Sequence, residues 1–397
     1  MNASIVISPA VSGAAATGRA ATMPWHLSAV TLASTSVIVG LLWDISWHRT
    51  IGRDAFLTPA HLAIYLGAVI AGCSCGWLAL KTTFAGTEAE RAVAVRFWGF
   101  RAPLGAWVCI WGSFAMLTSA PLDNWWHNAY GLDVQILSPP HALLGLGMIA
   151  IEIGAMLMVL AQQNRSGDAS GPLRWTYIYC AGIALLMAAT IVWEYTGIAN
   201  TMHSALFYRV AAIALPSFMI APALAGKVRW PATAVALVYM GLTLAMAWTL
   251  PLFPATAKLA PVYNPVTHML PPTFPLLLVV PALLFDLVLR RAGGLRDWQL
   301  ALVLGAVFAG TLLAVQWPFA DFLLTPAARN PVFVSDRWDY SSQLGPWRYR
   351  FWDLDRDAHG NWSAARFWSG IGLATVIAMA TSWIGLARGR WMRGVQR

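Results

Sequence analysis

The sequence predicts an all-α fold, a polytopic transmembrane helical bundle of about ten spans in which one helical hairpin is used twice. Three observations lead there. Hydrophobic residues fill 58% of the 397 positions and charged residues only 11%, the composition of a membrane protein rather than of a soluble enzyme with a large core. Ten apolar runs approach the ~20 residues a helix needs to cross a bilayer. Lastly, an acid followed by two histidines recurs about 80 residues later with nearly the same spacing.

Residues 1–25 read as a flexible tail, rich in Ala, Ser, Thr and Gly and without the basic start and long apolar core of a cleaved signal. The apolar runs fall near 27–47, 59–80, 102–122, 139–162, 175–196, 204–226, 230–252, 271–290, 298–318 and 366–387. Residues 26–162 hold the repeated four-helix unit and 163–318 a second membrane half of five spans. An external loop or cap follows at 319–365, and the last span and a basic tail occupy 366–397. In the cap, Asp353, Asp355 and Asp357 imitate a calcium loop. Ala358 stands where that loop needs its turn glycine and Ala364 where it needs its closing glutamate, so a solvated acidic turn is expected.

Lys and Arg resist translocation and gather on the cytoplasmic side. The N-terminal tail, the connections at 81–101, 163–174, 227–229 and 290–297 and the C-terminal tail together carry 16 of them. The short connections opposite carry only Arg49, Arg53 and Lys258, and the long 319–366 segment six more. Both termini are therefore expected in the cytoplasm, in a bacterial inner membrane. The net charge of +9 is orientation signal beside anionic lipid and requires no nucleic acid. Cys73, Cys75, Cys109 and Cys180 lie within expected spans, have no spacing suited to zinc or disulfides, and read as small apolar residues.

The repeated pattern carries the chemistry. Asp44-x3-His48-x12-His61 and Asp123-x3-His127-x13-His141 each sit where one apolar run ends and the next begins. Both copies share a Trp-His pair, a Gly-x-Asp and a capped, proline-started helix, Thr58-Pro59 or Ser138-Pro139. At i and i+4 on a helix, Asp44 and His48, like Asp123 and His127, share one face. A hairpin then brings His61 or His141 back to them, giving one carboxylate and two imidazoles per copy. Such sets suit copper, non-haem iron or zinc with a coordination position left open. Interfacial hydrogen bonding explains any one of these histidines, but it does not call for the second histidine of each set. Asp54 and Asp133, six residues after His48 and His127, are candidate partners for imidazole N–H groups.

The stretch DISWHRTIGRDAFLTPAHLAIYL resembles the C subunits of the particulate methane monooxygenase and ammonia monooxygenase family, whose motif reads Asp-x-x-Trp-His, Thr-Ile, Arg-Asp and Thr-Pro-x-His. The resemblance covers roughly residues 40–150. There the family has a second set, Asn-x3-His-x13-His, and this chain has Asp123 in place of the Asn. The resemblance implies copper held by Asp44, His48 and His61 and a second metal position at Asp123, His127 and His141. It also implies oxygen-dependent hydroxylation of a small substrate, quinol as reductant, and other monooxygenase-type subunits or further copies of the chain as partners.

Two further expectations concern charges within the spans. Glu152 lies eleven residues after His141 and about 16 Å deeper. It is expected to pair with Arg209 or to serve a proton path. Glu194 is a candidate ligand or proton acceptor near the external boundary. Met148, Met156 and Met158 suit copper(I), though apolar packing is the default. Two alternatives to an enzyme stay open: a copper-handling or transport protein, and a non-catalytic subunit with structural metals. The di-iron desaturase class is excluded, because no His-x3-His or His-x2-His-His box occurs among the eight histidines.

Overall fold

The computed structural model describes residues 23–52, 57–131, 138–166, 171–197, 199–258, 266–334, 355, 359 and 361–397. Residues 1–22 of the expected tail and most of the expected cap, with Asp353 and Asp357, lie outside the described residues. Asp355 lies within them, and its carboxylate accepts a 2.8 Å hydrogen bond from the Ala205 backbone N–H.

A first hairpin consists of α1 (Trp25–Thr50) and α2 (Pro59–Phe84). The short α3 (Glu88–Ala92) and the antiparallel pair β1 (Val95–Phe97) and β2 (Phe100–Ala102) lead to a second hairpin, α4 (Leu104–Tyr130) and α5 (Pro139–Arg165). Then come α6 (Gly171–Ile191), the one-turn α7 (Trp193–Thr196), α8 (Ala205–Ala214), α9 (Pro216–Ala225) and α10 (Pro231–Thr249). The chain continues with α11 (Val279–Arg291), α12 (Asp297–Leu323) and α13 (Ala364–Arg393). Among the described residues nine helices are long and apolar enough to cross a membrane, α8 and α9 counting as one span bent at Pro216. This is the architecture of an integral membrane protein. The β-hairpin was not expected; Trp98 and Gly99, with φ of +46° and +87°, make its two-residue turn, where both central residues need positive φ.

The helices are apolar on both faces. On α2, Ile64, Ala68, Ala71 and Leu78 are buried while Leu62, Leu66, Val69, Trp77 and Leu80 are exposed, a pattern suited to lipid rather than water. Because lipid gives helices no hydrophobic reason to associate, close approach at small residues must do so. The second hairpin uses two glycine pairs. A Cβ on Gly112 would lie 2.8 Å from the Gly147 carbonyl oxygen, and one on Gly105 2.4 Å from that of Gly154. The two hairpins pack together through α2 against α4 and α1 against α5, and α6 closes on α1 and α5.

The expected eighth helix, at 271–290, does not form as such. Its helical part, α11, has only 13 residues, and the chain before it, from 269 to 277, has no regular secondary structure. Pro271, Pro272 and Pro275 explain this, since each lacks an N–H and restricts the residue before it. Non-helical backbone inside a membrane protein needs partners for its polar groups. Leu270 N–H donates to Thr50 Oγ1 at 2.9 Å, Leu276 N–H to the Tyr239 hydroxyl at 3.0 Å, and Leu277 N–H to Gln316 Oε1 at 3.0 Å. Ser46 Oγ donates to the Leu270 carbonyl. Beyond this segment, buried Asp286 on α11 accepts from the Ala232 and Thr233 backbone N–H groups and caps α10.

Gly147→Val should separate α4 from α5 and cost about 1–3 kcal/mol, the usual size of an overpacking penalty. Gly145→Ala, which meets nothing within 4 Å, should leave the thermal unfolding temperature in detergent unchanged.

Candidate metal centres

Both acid-histidine sets are assembled by the ends of the two hairpins. α1 stays helical through Thr50, so Asp44 and His48 stack one turn apart. α2 starts with Pro59 at its first position, and its N-cap Thr58 accepts a 3.1 Å hydrogen bond from the His61 backbone N–H. The capping bond is therefore made to the candidate ligand residue itself, fixing His61 in the first turn. The second hairpin repeats this with Ser138 and the His141 N–H at 3.5 Å. There α4 runs on through Tyr130 and stops at Gly131, whose φ of +92° favours glycine.

In each set one carboxylate lies between two imidazoles. Asp44 Oδ1 is 3.1 Å from His61 Nε2, and Asp44 Oδ2 is 3.5 Å from His48 Nε2. Asp123 Oδ1 and Oδ2 are each 3.3 Å from the Nε2 atoms of His141 and His127. The ring centroids of the two histidines are 6.1 Å apart in both sets. One ligand atom can be chosen from every member so that all three lie within 4.8 Å of one another.

Two observations distinguish these sets from ordinary Asp–His hydrogen bonding. Asp44 Oδ1 and Asp123 Oδ1 are buried and accept no hydrogen bond, although an imidazole nitrogen lies 3.1 Å from the first and 3.3 Å from the second. An unsatisfied buried carboxylate oxygen is costly, and a shared cation removes that cost. The separations also fit, since two donors about 2.1 Å from one ion at a tetrahedral angle lie about 3.4 Å apart. In the second set the tautomer is fixed as well. His127 Nδ1 is 3.2 Å from the Gly131 carbonyl; a carbonyl only accepts, so Nδ1 carries a proton, which leaves Nε2, on the Asp123 side, as the nitrogen available to a metal.

The other residues expected to take part are distributed differently. Asp54 and Asp133 lie outside the described residues. Glu194 is on α7 and belongs to neither set. The expected Glu152–Arg209 pair does not form. Glu152 is buried on α5, where Ser34 of α1 donates to Oε2 and Oε1 accepts nothing. Arg209 is on α8, and its Nε has no hydrogen-bond partner. The reason is topological: α5 packs on α4, α1 and α6, whereas α8 packs chiefly on α13.

Two features escaped the sequence reading. Tyr65 sits one turn beyond His61 with ring centroids 6.4 Å apart, and its i+4 spacing from His61 was the available signal. Asp321, near the end of α12, lies 2.8 Å from His203 Nε2, a pairing across about 120 residues that no local pattern announces.

No protein-family model, curated protein or solved structure matches the chain. The metal assignment thus rests on the geometry of the two sets and on the motif resemblance.

Asp44→Ala or His61→Ala should remove about one bound metal per chain, and Asp123→Ala or His141→Ala a different one, as elemental analysis of purified protein would show. Hydrogen-bonded pairs without a metal would leave the content unchanged. Acidification should release metal from both sets, because protons compete for the imidazole lone pairs and the carboxylate; retention at low pH would argue against imidazole ligation.

Proposed function

We propose that this chain is a membrane-embedded copper protein resembling the C subunits of methane and ammonia monooxygenases, and that it takes part in oxygen-dependent hydroxylation of a small substrate. The observation that carries the reading is the pair of matched sets, each a buried carboxylate oxygen without a hydrogen bond beside two imidazoles. Copper suits such a nitrogen-rich set, although iron or zinc would accept the same donors. When bound, copper would supply one-electron and dioxygen chemistry.

The chain's own part is to hold and orient. Asp44 and Asp123 supply the negative charge that offsets a cation, and Asp123 does so where the resembling family has a neutral Asn. The caps at Thr58 and Ser138 fix one histidine of each set, and the Gly131 carbonyl fixes the tautomer of another. Three donors per set leave coordination positions open to substrate or solvent. His48, with 37% of its side chain exposed, is on the accessible side. The distribution of Lys and Arg supports cytoplasmic termini with both sets facing outward. A small apolar or weakly polar substrate then arrives through lipid, with quinol and further subunits as electron source and partners.

Copper handling is the second reading, favoured by the buried sulfur atoms that α2, α4 and α5 place beneath the outer sets. The two readings separate in one comparison. Copper-loaded protein given quinol and either ammonia or a short alkane should consume oxygen, and the double variant His61→Ala, His141→Ala should not. Protein that consumes no oxygen yet moves copper into vesicles would reverse the ranking.

A further inference from the structure

At the other end of the two hairpins, between α2 and α4, the β1–β2 register sets Arg96 directly opposite Arg101. Like charges so placed repel and weaken a two-stranded ladder. Among the described residues neither guanidinium has a carboxylate or hydrogen-bond partner. Glu90 of the same connection pairs instead with Lys81, at 3.0 Å. Successive side chains of a strand alternate between its faces, so Phe97 and Phe100, the next pair in the register, turn away from the two arginines.

The aromatic face packs on the helices. Phe97 lies 5.4 and 5.7 Å from Trp107 and Trp111 of α4, and Phe100 lies 6.2 Å from Phe84 of α2, centroid to centroid. Trp107 Nε1 donates to the Val95 carbonyl at 3.0 Å, and the Arg101 backbone N–H to Thr83 Oγ1 at 2.8 Å. The arginine face therefore points outward from the bundle. At the tip, Trp98 meets Trp111 at 6.1 Å, seven residues along α4 from Leu104, or about 10 Å. The 27 residues of α4 span about 40 Å, which is the thickness of a bilayer with both headgroup layers. The hairpin thus lies beside the opening turns of a span, at headgroup depth. Trp98 and Phe84 are 81% and 73% exposed, and Trp111 and Phe114 below them are exposed too, so the aromatic surface continues the lipid-facing side of α4.

We propose that the β1–β2 hairpin is a docking surface for an anionic phospholipid, with Arg96 and Arg101 sharing the headgroup phosphate and Trp98 and Phe84 lying against the tops of the acyl chains. The guanidinium fork matches phosphate oxygens, and an anion between the two arginines turns their repulsion into a shared contact. Aromatic rings suit the membrane interface, where one side is apolar and the other wet. A soluble phosphate would satisfy the arginines but leave the aromatic surface uncovered. The ammonium of a zwitterionic lipid would offset the attraction. The inference needs only that α2 and α4 cross the membrane and is independent of the metal sets.

The full chain is reconstituted into phosphatidylcholine vesicles containing a trace of phosphatidylglycerol with a photoreactive headgroup, and the cross-linked peptides are mapped by mass spectrometry. Label is expected on residues 95–102. Arg96→Gln with Arg101→Gln should reduce it by about 30-fold, and a photoreactive phosphatidylcholine should label the same residues at least about 10-fold less. Arg291→Gln, in another basic connection, should change nothing, and excess inorganic phosphate should not compete. An unlabelled hairpin, equal labelling by phosphatidylcholine, label retained by the double variant or label lost to inorganic phosphate would each overturn the proposal. So would cross-links joining the hairpins of two copies of the chain. In neutral detergent the double variant removes only repulsion, so it should melt no lower than the unaltered protein; a lower Tm would show the arginines bracing the protein itself and would also overturn the proposal.

Discussion

A carboxylate held between two imidazoles, with one of its oxygens buried and given no hydrogen bond, is the constraint on which the paired ends of the two hairpins depend. To meet it, a helix leaving the membrane must stay wound until its Asp and His have stacked, and the returning helix must begin within one turn of its own histidine. Both hairpins satisfy this with the same devices, a hydroxyl N-cap and a proline in the first turn. Without a cation, each arrangement leaves a charged, unsatisfied oxygen near the membrane boundary, a cost that few proteins carry without a functional reason. Its appearance twice, with matching distances, is difficult to ascribe to helix capping.

Below that end the packing is a membrane protein's. Glycine pairs let α4 and α5 approach until backbone meets backbone, which brings Asp123 and His141 within reach of each other. The non-helical chain before α11 bonds Ser46 and Thr50, which flank His48 on α1. The broken crossing therefore braces the helix that carries the first set. Non-helical backbone at that depth persists because protein side chains, not lipid, satisfy it.

Much of this was legible in the sequence. Composition and apolar run length indicated the helical membrane class and nine of the crossings. The i, i+4 spacing and the Thr-Pro and Ser-Pro starts indicated where six side chains would gather into two trios, because they report local helix geometry. What failed was not local. The span at 271–290 was counted as a helix because hydropathy ignores three closely spaced prolines, whose missing N–H groups decide the backbone. Glu152 was paired with Arg209 on cost alone, whereas which helix α5 touches is a property of the whole bundle, and Ser34 was its neighbour.

The central claim is that the two outer sets hold metal ions. Anomalous diffraction at the copper absorption edge, from crystals of the copper-loaded protein, tests it most directly. The prediction is a peak among Asp44, His48 and His61 and another among Asp123, His127 and His141, each about 2.0–2.2 Å from its donor atoms. Fully loaded crystals with no peak in either set would contradict it.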